Sequence, residues 1–243
     1  GRRYFEMGLT NYVSAMDCWK GRIDSTTDYD AFRWHQWVQP LDLNIQTEKP
    51  ECGLGFAFIG FCSEQGVKRN KGRVGTALAP DFIRAQMSNL PCTFLQDVKL
   101  YDAGNILCDE ISMEEGQKLL GIAVEKILDL ELFPIVLGGG HETTFGHFQG
   151  HLADMKKKET PLDMGIINFD AHFDLRPYEM VRHPVQCSAR LQIFTKRKMC
   201  SIIIFRWGYR NIVILSVYLN LQKKSEQNIF LQRKSKIPIM QRY

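Results

Sequence analysis

Two short stretches of this sequence carry residue types that can do chemistry. In GIINFDAHFDLRP (165–177), Asp170, His172 and Asp174 stand two residues apart, directly after an apolar run. In an extended segment the side chains at i, i+2 and i+4 share one face, so these three can converge on a common point. Two carboxylates and an imidazole suit a hard or borderline divalent cation such as Mn2+. The same pattern also fits a strand edge with an aspartate cap and a hydrogen-bonded core histidine. About thirty residues earlier, LGGGHETTFG sets His141 behind three glycines, which let the backbone turn tightly and bring the imidazole to a strand tip. Alone, that stretch reads equally as a glycine turn with a surface histidine. It is no dinucleotide fingerprint, because G-x-G-x-x-G is absent.

These residues need a frame that brings them together. GLGFAFIGF (53–61), an apolar run bounded by glycines, reads as a buried strand. VKLYDAGNI (98–106), FPIVLGGG (133–140) and MGIINFD (164–170) read as three more. Between them, APDFIRAQMSNL (79–90) predicts a helix with Pro80 in its first turn. SMEEGQKLLGIAVEKILDLEL (112–132) predicts a long one, with Ser112 and Glu115 as a capping box. Leu119, Ile122, Ala123, Val124, Ile127 and Leu128 supply its apolar stripe. HETTFGHFQGHLADMKKK (141–158) reads as a loop running into a helix.

Strands alternating with helices imply βαβ units and a parallel sheet covered on both faces. In such sheets the chemistry sits beyond the carboxyl ends of the strands, where GGGH and FDAHFD both fall. His147 and His151 are four apart and share one helical face. The spacing after His141-Glu142 is not H-E-x-x-H, so we read both as helix-face residues. A Gly/Lys/Arg loop (66–76) carries Lys68, Arg69, Asn70, Lys71 and Arg73. It fits a solvated basic turn or a nucleic-acid patch, and it also fits carboxylate recognition, since arginine pairs bidentately with carboxylates. Residues 1–50, with CWKGRID and FRWHQWVQP, read as an arm with a short helix lying on the main domain.

A chain of 243 residues, 44% hydrophobic and 24% charged, fits one large α/β domain or two small ones. Its seven cysteines are scattered and form no C-x-x-C pair, which points to reduced thiols in the cytoplasm rather than a disulfide framework. GRRYFEMGLTNYV has neither a long apolar core nor a cleavage pattern, so we expect no signal peptide. SIIIFRWGYRNIVILSVYL (201–219) has spanning length, but Arg206 and Arg210 interrupt it, and we expect no membrane helix. The net charge of +4 hides a break: residues 1–174 hold 17 Lys+Arg against 25 Asp+Glu, whereas residues 175–243 hold 14 against 2.

A glycine-turn histidine followed by D-A-H-x-D resembles the ureohydrolase (arginase/agmatinase) superfamily. WKGRID, GFCSEQGVKRNKGRVGTALAPDFIR (60–84), YDAGNI and GGGHETTFGHFQG sharpen the resemblance toward its formimidoylglutamase branch, over roughly residues 18–178. The resemblance implies a three-layer α/β/α fold with a mainly parallel sheet and two Mn2+ ions per subunit. It implies His141 as ligand to one ion, His172 as ligand to the other, and Asp170 and Asp174 as carboxylates shared by or adjoining the pair. His141 and Asp174 then take the catalytic roles. The reaction implied is hydrolysis of N-formimidoyl-L-glutamate to L-glutamate and formamide, a step of histidine degradation. The substrate's two carboxylates give Arg69, Asn70 and Arg73 a binding role. A cytoplasmic homo-oligomer is implied, with a small-molecule substrate and neither membrane nor nucleic acid as partner.

The sequence also departs from that pattern. The family completes its metal site with a later S-x-D-x-D strand, and here no aspartate follows Asp174. The small-residue substrate loop is replaced by PVQCSARLQIF, with His183 just before it. We therefore divide the chain into an arm (1–50), a ureohydrolase-like domain (51–178) and an atypical basic segment (179–243) produced by a frameshift or truncation. The expected consequence is weak metal retention and little turnover. Two alternatives stand beside this reading. One is another ureohydrolase acting on arginine, agmatine or a guanidino acid. The other is a non-catalytic chain, whose basic tail, with Trp207, Tyr209 and Phe230, takes a single-stranded nucleic acid, or whose truncated domain pairs with full-length subunits.

Overall fold

The computed structural model describes residues 8–160 in full and the backbone of short strands at 169–170, 205–207 and 212–213. The described residues fall into two compact units, the first ending at Thr160 and the second holding those three strands.

The first unit is built on three parallel strands. β3 (Leu54–Cys62) lies between β4 (Val98–Leu107) and β5 (Phe133–Leu137). Two short strands of the arm, β1 (Tyr12–Val13) and β2 (Gln39–Pro40), add to the far side of β4, antiparallel and parallel respectively. Two-residue strands are too short to leave a period-2 pattern, so neither was legible in the sequence.

The alternation along β3 sorts the two faces. Ala57, Ile59 and Phe61 point to one side and join Tyr101, Ala103, Ile106, Leu120, Val124 and Ile127 in a mainly aliphatic core. The last three belong to α4 (Met113–Asp129), whose buried stripe keeps Leu119, Ala123, Val124 and Ile127 of the expected set, adds Leu120, and leaves Ile122 and Leu128 half-buried. Leu120, Val124 and Ile127 are fully buried, each worth about 1.5–3 kcal/mol in transfer from water. Only half of the expected capping box is seen: the Ser112 hydroxyl oxygen accepts the Glu115 amide, at 3.2 Å. α5 (Thr143–Lys157) packs along α4.

Phe58 points to the opposite face, where Leu100, Leu137, Trp19 and Val38 bury against it with Trp34, Trp37 and Met87 packed around them. This face is covered by the arm, including α1 (Trp34–Trp37), and by α3 (Ala79–Met87) with Pro80 in its first turn. Arg84 of α3 is wholly buried there. Its guanidinium donates to both oxygens of Asp102 (2.6 and 3.0 Å), to Asn105 Oδ1 (2.7 Å) and to the Gly104 carbonyl (2.9 Å). The Trp19 indole N–H reaches the same Asp102. The result is helices and arm, sheet, then helices: the three-layer α/β/α arrangement with a mainly parallel sheet.

The basic loop differs from expectation. Its start is helical, α2 (Gln65–Arg69), followed by a turn with Lys71 at φ 56° and a 3-10 turn at Thr76–Leu78. Lys68 supports α2 by pairing with Glu64 one turn earlier.

In the second unit, β6 (Phe169–Asp170) pairs in parallel with β7 (Phe205–Trp207), which pairs antiparallel with β8 (Ile212–Val213). The expected fourth strand is thus seen at its last two residues. Among the described residues, no helix is long and apolar enough to cross a membrane.

Candidate functional site

β3 and β5 are hydrogen-bonded parallel neighbours, so their carboxyl ends lie side by side. From β3 the chain passes through Ser63 and Glu64 into α2. From β5 it passes through the glycine turn into α5. Gly138 and Gly139 take φ of +72° and +74°, and a side chain at Gly139 would strike Phe61 and the Thr143 hydroxyl. No other residue type meets both demands comfortably. The Thr143 Oγ donates to a carbonyl of this turn, with those of Gly138 and Gly140 each 2.7 Å away. His141 is thereby held exposed at the tip of β5, the position expected of it.

Of the other expected metal ligands, Asp170 is the last residue of β6, described by its backbone alone. His172 and Asp174 lie outside the described residues, as does His183. Among the described residues there is no group of three or more His, Cys, Asp or Glu that could hold a metal ion.

The residues expected to meet substrate sit at the same end of the sheet. Arg69 ends α2, Asn70 follows it, and Arg73 lies in the turn beyond; all three are exposed. Arg69 has a partner already: its Nη1 donates to Glu114 Oε1 at 3.1 Å, joining α2 to the first turn of α4. A substrate carboxylate would have to open or share that pair.

His147 and His151 do lie on one face of α5. Their Nε2 atoms are 3.2 Å apart, so one ring donates to the other. Burial, with the neighbouring His151 ring second, pushes His147 down to about 4, and burial lowers His151 as well. Both are neutral imidazoles near neutral pH.

Sequence reasoning gave no role to Glu142. It is 2% exposed, and its Oε1 accepts from the Ser63 hydroxyl at 2.9 Å and from the Gly66 amide at 3.2 Å. Gln117 Nε2 donates to its backbone carbonyl at 2.9 Å. Its partners are 76 and 79 residues away in sequence, and no local period marks a buried carboxylate. Its position directly after the glycine-turn histidine is the one available signal.

Comparison with known proteins follows the same residues. The formimidoylglutamase of Clostridium tetani is 58% identical over 173 residues, covering 71% of this chain and 51% of that protein. That of Lysinibacillus sphaericus is 45% identical over 161 residues, covering 66% and 48%. The chain thus spans about half the length of the curated relatives it matches. Among solved structures, Trypanosoma cruzi formiminoglutamase with Mn2+ superposes with a TM-score of 0.53 at 26% identity, over 67% of this chain and 55% of that one. The arginase family profile matches residues 54–214, a span that holds β3, β4, β5 and the turn bearing His141. The chain belongs to the arginase family.

Proposed function

We propose that this chain carries the chemistry of a manganese hydrolase that cleaves the C–N bond of a linear amidine, N-formimidoyl-L-glutamate, giving L-glutamate and formamide. The observation that carries the reading is the 58% identity to Clostridium tetani formimidoylglutamase. The Trypanosoma cruzi relative, solved with Mn2+, supports the metal. In this reading His141, Asp170, His172 and Asp174 are ligands, and His141 and Asp174 take the catalytic roles. Imidazole with carboxylate is a donor set that fits manganese, and the exposed His141 at a strand's carboxyl end fits a ligand better than a core residue. Bound manganese would act as a Lewis acid and acidify a water.

The rest falls to the protein's own groups. The glycine turn and the Thr143 hydroxyl hold the His141 imidazole out at the sheet end. The α2 turn brings Arg69, Asn70 and Arg73 to the same end, where two substrate carboxylates need donors. Without the S-x-D-x-D carboxylates, paired cations would face each other with less neutralisation. We therefore expect low turnover and fewer than two manganese ions held by the chain as it stands. We further assign it to histidine breakdown in the cytoplasm, as a homo-oligomer, with residues 1–50 as a covering arm, 51–178 as the catalytic domain and 179–243 as a distinct basic segment. The family match, which runs on to residue 214, bears on that last boundary.

The test offers the chain, with added Mn2+, formimidoylglutamate beside arginine, agmatine and a guanidino acid, and follows formamide and urea. Slow consumption of formimidoylglutamate alone is expected. Turnover of arginine or agmatine in its place would sink the substrate assignment.

A further inference from the structure

We propose that Glu142 is a positioning residue for this site: its buried carboxylate clasps the turn that carries His141 to the segment that carries Arg69 and Asn70. The proposal deepens the manganese-hydrolase reading and rests on it for the role of His141.

Glu142 stands at the N-cap of α5, yet its side chain does not cap its own helix. It crosses to the neighbouring strand end, where its Oε1 accepts from Ser63 Oγ at 2.9 Å and from the Gly66 amide at 3.2 Å. Gln117 of α4 holds its carbonyl from the other side at 2.9 Å. The space around the carboxylate is kept open by two glycines. A Cβ on Gly66 would lie 2.3 Å from Glu142 Oε2, and one on Gly140 would lie 2.2 Å from it. Both distances are far inside contact, so two segments have given up side chains to the same oxygen.

Burying a carboxylate is costly unless donors meet it. A turn that only had to pack would be served by an apolar side chain at less cost. What the carboxylate adds is direction: a hydroxyl and an amide on one segment fix its plane, and its own backbone is the residue next to His141. Any displacement of the clasp therefore moves the His141 backbone, and moves the start of α2 with it. Groups that orient a ligand in this way set how well it meets its ion.

The decisive measurement is amide hydrogen exchange on the full chain, comparing wild type with Glu142→Ala, Glu142→Gln and Gly66→Ala. Glu142→Ala should speed exchange about tenfold or more in both 63–70 and 138–146, while 119–127 in α4 keeps its protection. Glu142→Gln should stay within about threefold of wild type, because an amide oxygen can accept the same two donors. Gly66→Ala should reproduce Glu142→Ala by displacing the carboxylate. Faster exchange in one segment only, or Glu142→Gln as loose as Glu142→Ala, overturns the clasp. If Glu142→Ala does not fold, Gly66→Ala and Ser63→Ala set against Glu142→Gln decide it in the same way.

Manganese affinity, read from the free-ion resonance signal during titration, should fall about tenfold in Glu142→Ala and far less in Glu142→Gln. A wild-type chain that takes up no manganese at all would refute the metal reading, and the exchange result would still judge the clasp.

Discussion

The two faces of the central sheet are held by different means. The face under α4 is mainly aliphatic: Ile59, Leu120, Val124 and Ile127 meet there around Phe61, with no ionisable acid or base among them. The face under the arm and α3 is aromatic, and it encloses an ion pair, Arg84 with Asp102, in which both side chains are fully buried. The first face gains from water exclusion spread over many small contacts, so it tolerates change by degrees. The second concentrates its specificity in one guanidinium with five acceptor atoms, the fifth being Asp81 Oδ1 at 3.4 Å, and it should fail when that group is removed. Such a pair is a weak source of net stability but a strong source of register. Here it fixes α3 and Trp19 to one point on β4.

That contrast can be broken by experiment. Arg84→Met should cost about 3–5 kcal/mol in denaturant unfolding, because Asp102 is left buried and unpaired. Adding Asp102→Leu should recover a substantial part of the loss. A cost near zero for the single change would mean that the pair is idle. On the other face, Leu120→Ala should cost about 2–5 kcal/mol, with no second-site change able to restore it as cleanly.

The next effect is in pH. His147, pushed down to about 4, binds its proton less readily folded than unfolded, where its ordinary value is 6.5. The unfolded state therefore binds more protons below 6.5, and stability should fall as pH drops from 6.5 toward 4. A loss on the order of 2–3 kcal/mol is expected from this ring, and His147→Gln should remove that share, leaving the part due to His151, which burial also lowers. A flat profile across that window would show that the ring is not held neutral. The smallest effect is at the start of α4, where Ser112→Ala should cost about 1 kcal/mol by losing its one cap bond, read from the midpoint of thermal unfolding.

The same contrast explains what the sequence disclosed. The α4 stripe, the β3 run and the glycine turn at His141 follow from local period and local sterics, and each was legible. The expectation that His141 and Asp170 serve one site came from family motifs alone, since nothing in composition links them. The arm's strands, the helical start of the basic segment and the burial of Arg84 and Glu142 were not legible. Each depends on partners distant in sequence: Glu142 on Ser63 and Gly66, Arg84 on Asp102 and Asn105. A glutamate in a turn and an arginine on a helix look alike whether solvated or enclosed.

The parallel pairing of β3 also bears on how the chain reaches this state. Leu54 meets Val98, and Phe56 meets Phe133, so the first sheet hydrogen bonds join residues 44 and 77 positions apart. Closing such loops gives up chain entropy before any strand contact repays it. The α4–β5–α5 segment, whose helices meet across only a short strand, is the natural early nucleus. Refolding should therefore show helical signal well ahead of burial of Trp19, Trp34 and Trp37, because the arm can dock only on a sheet already assembled.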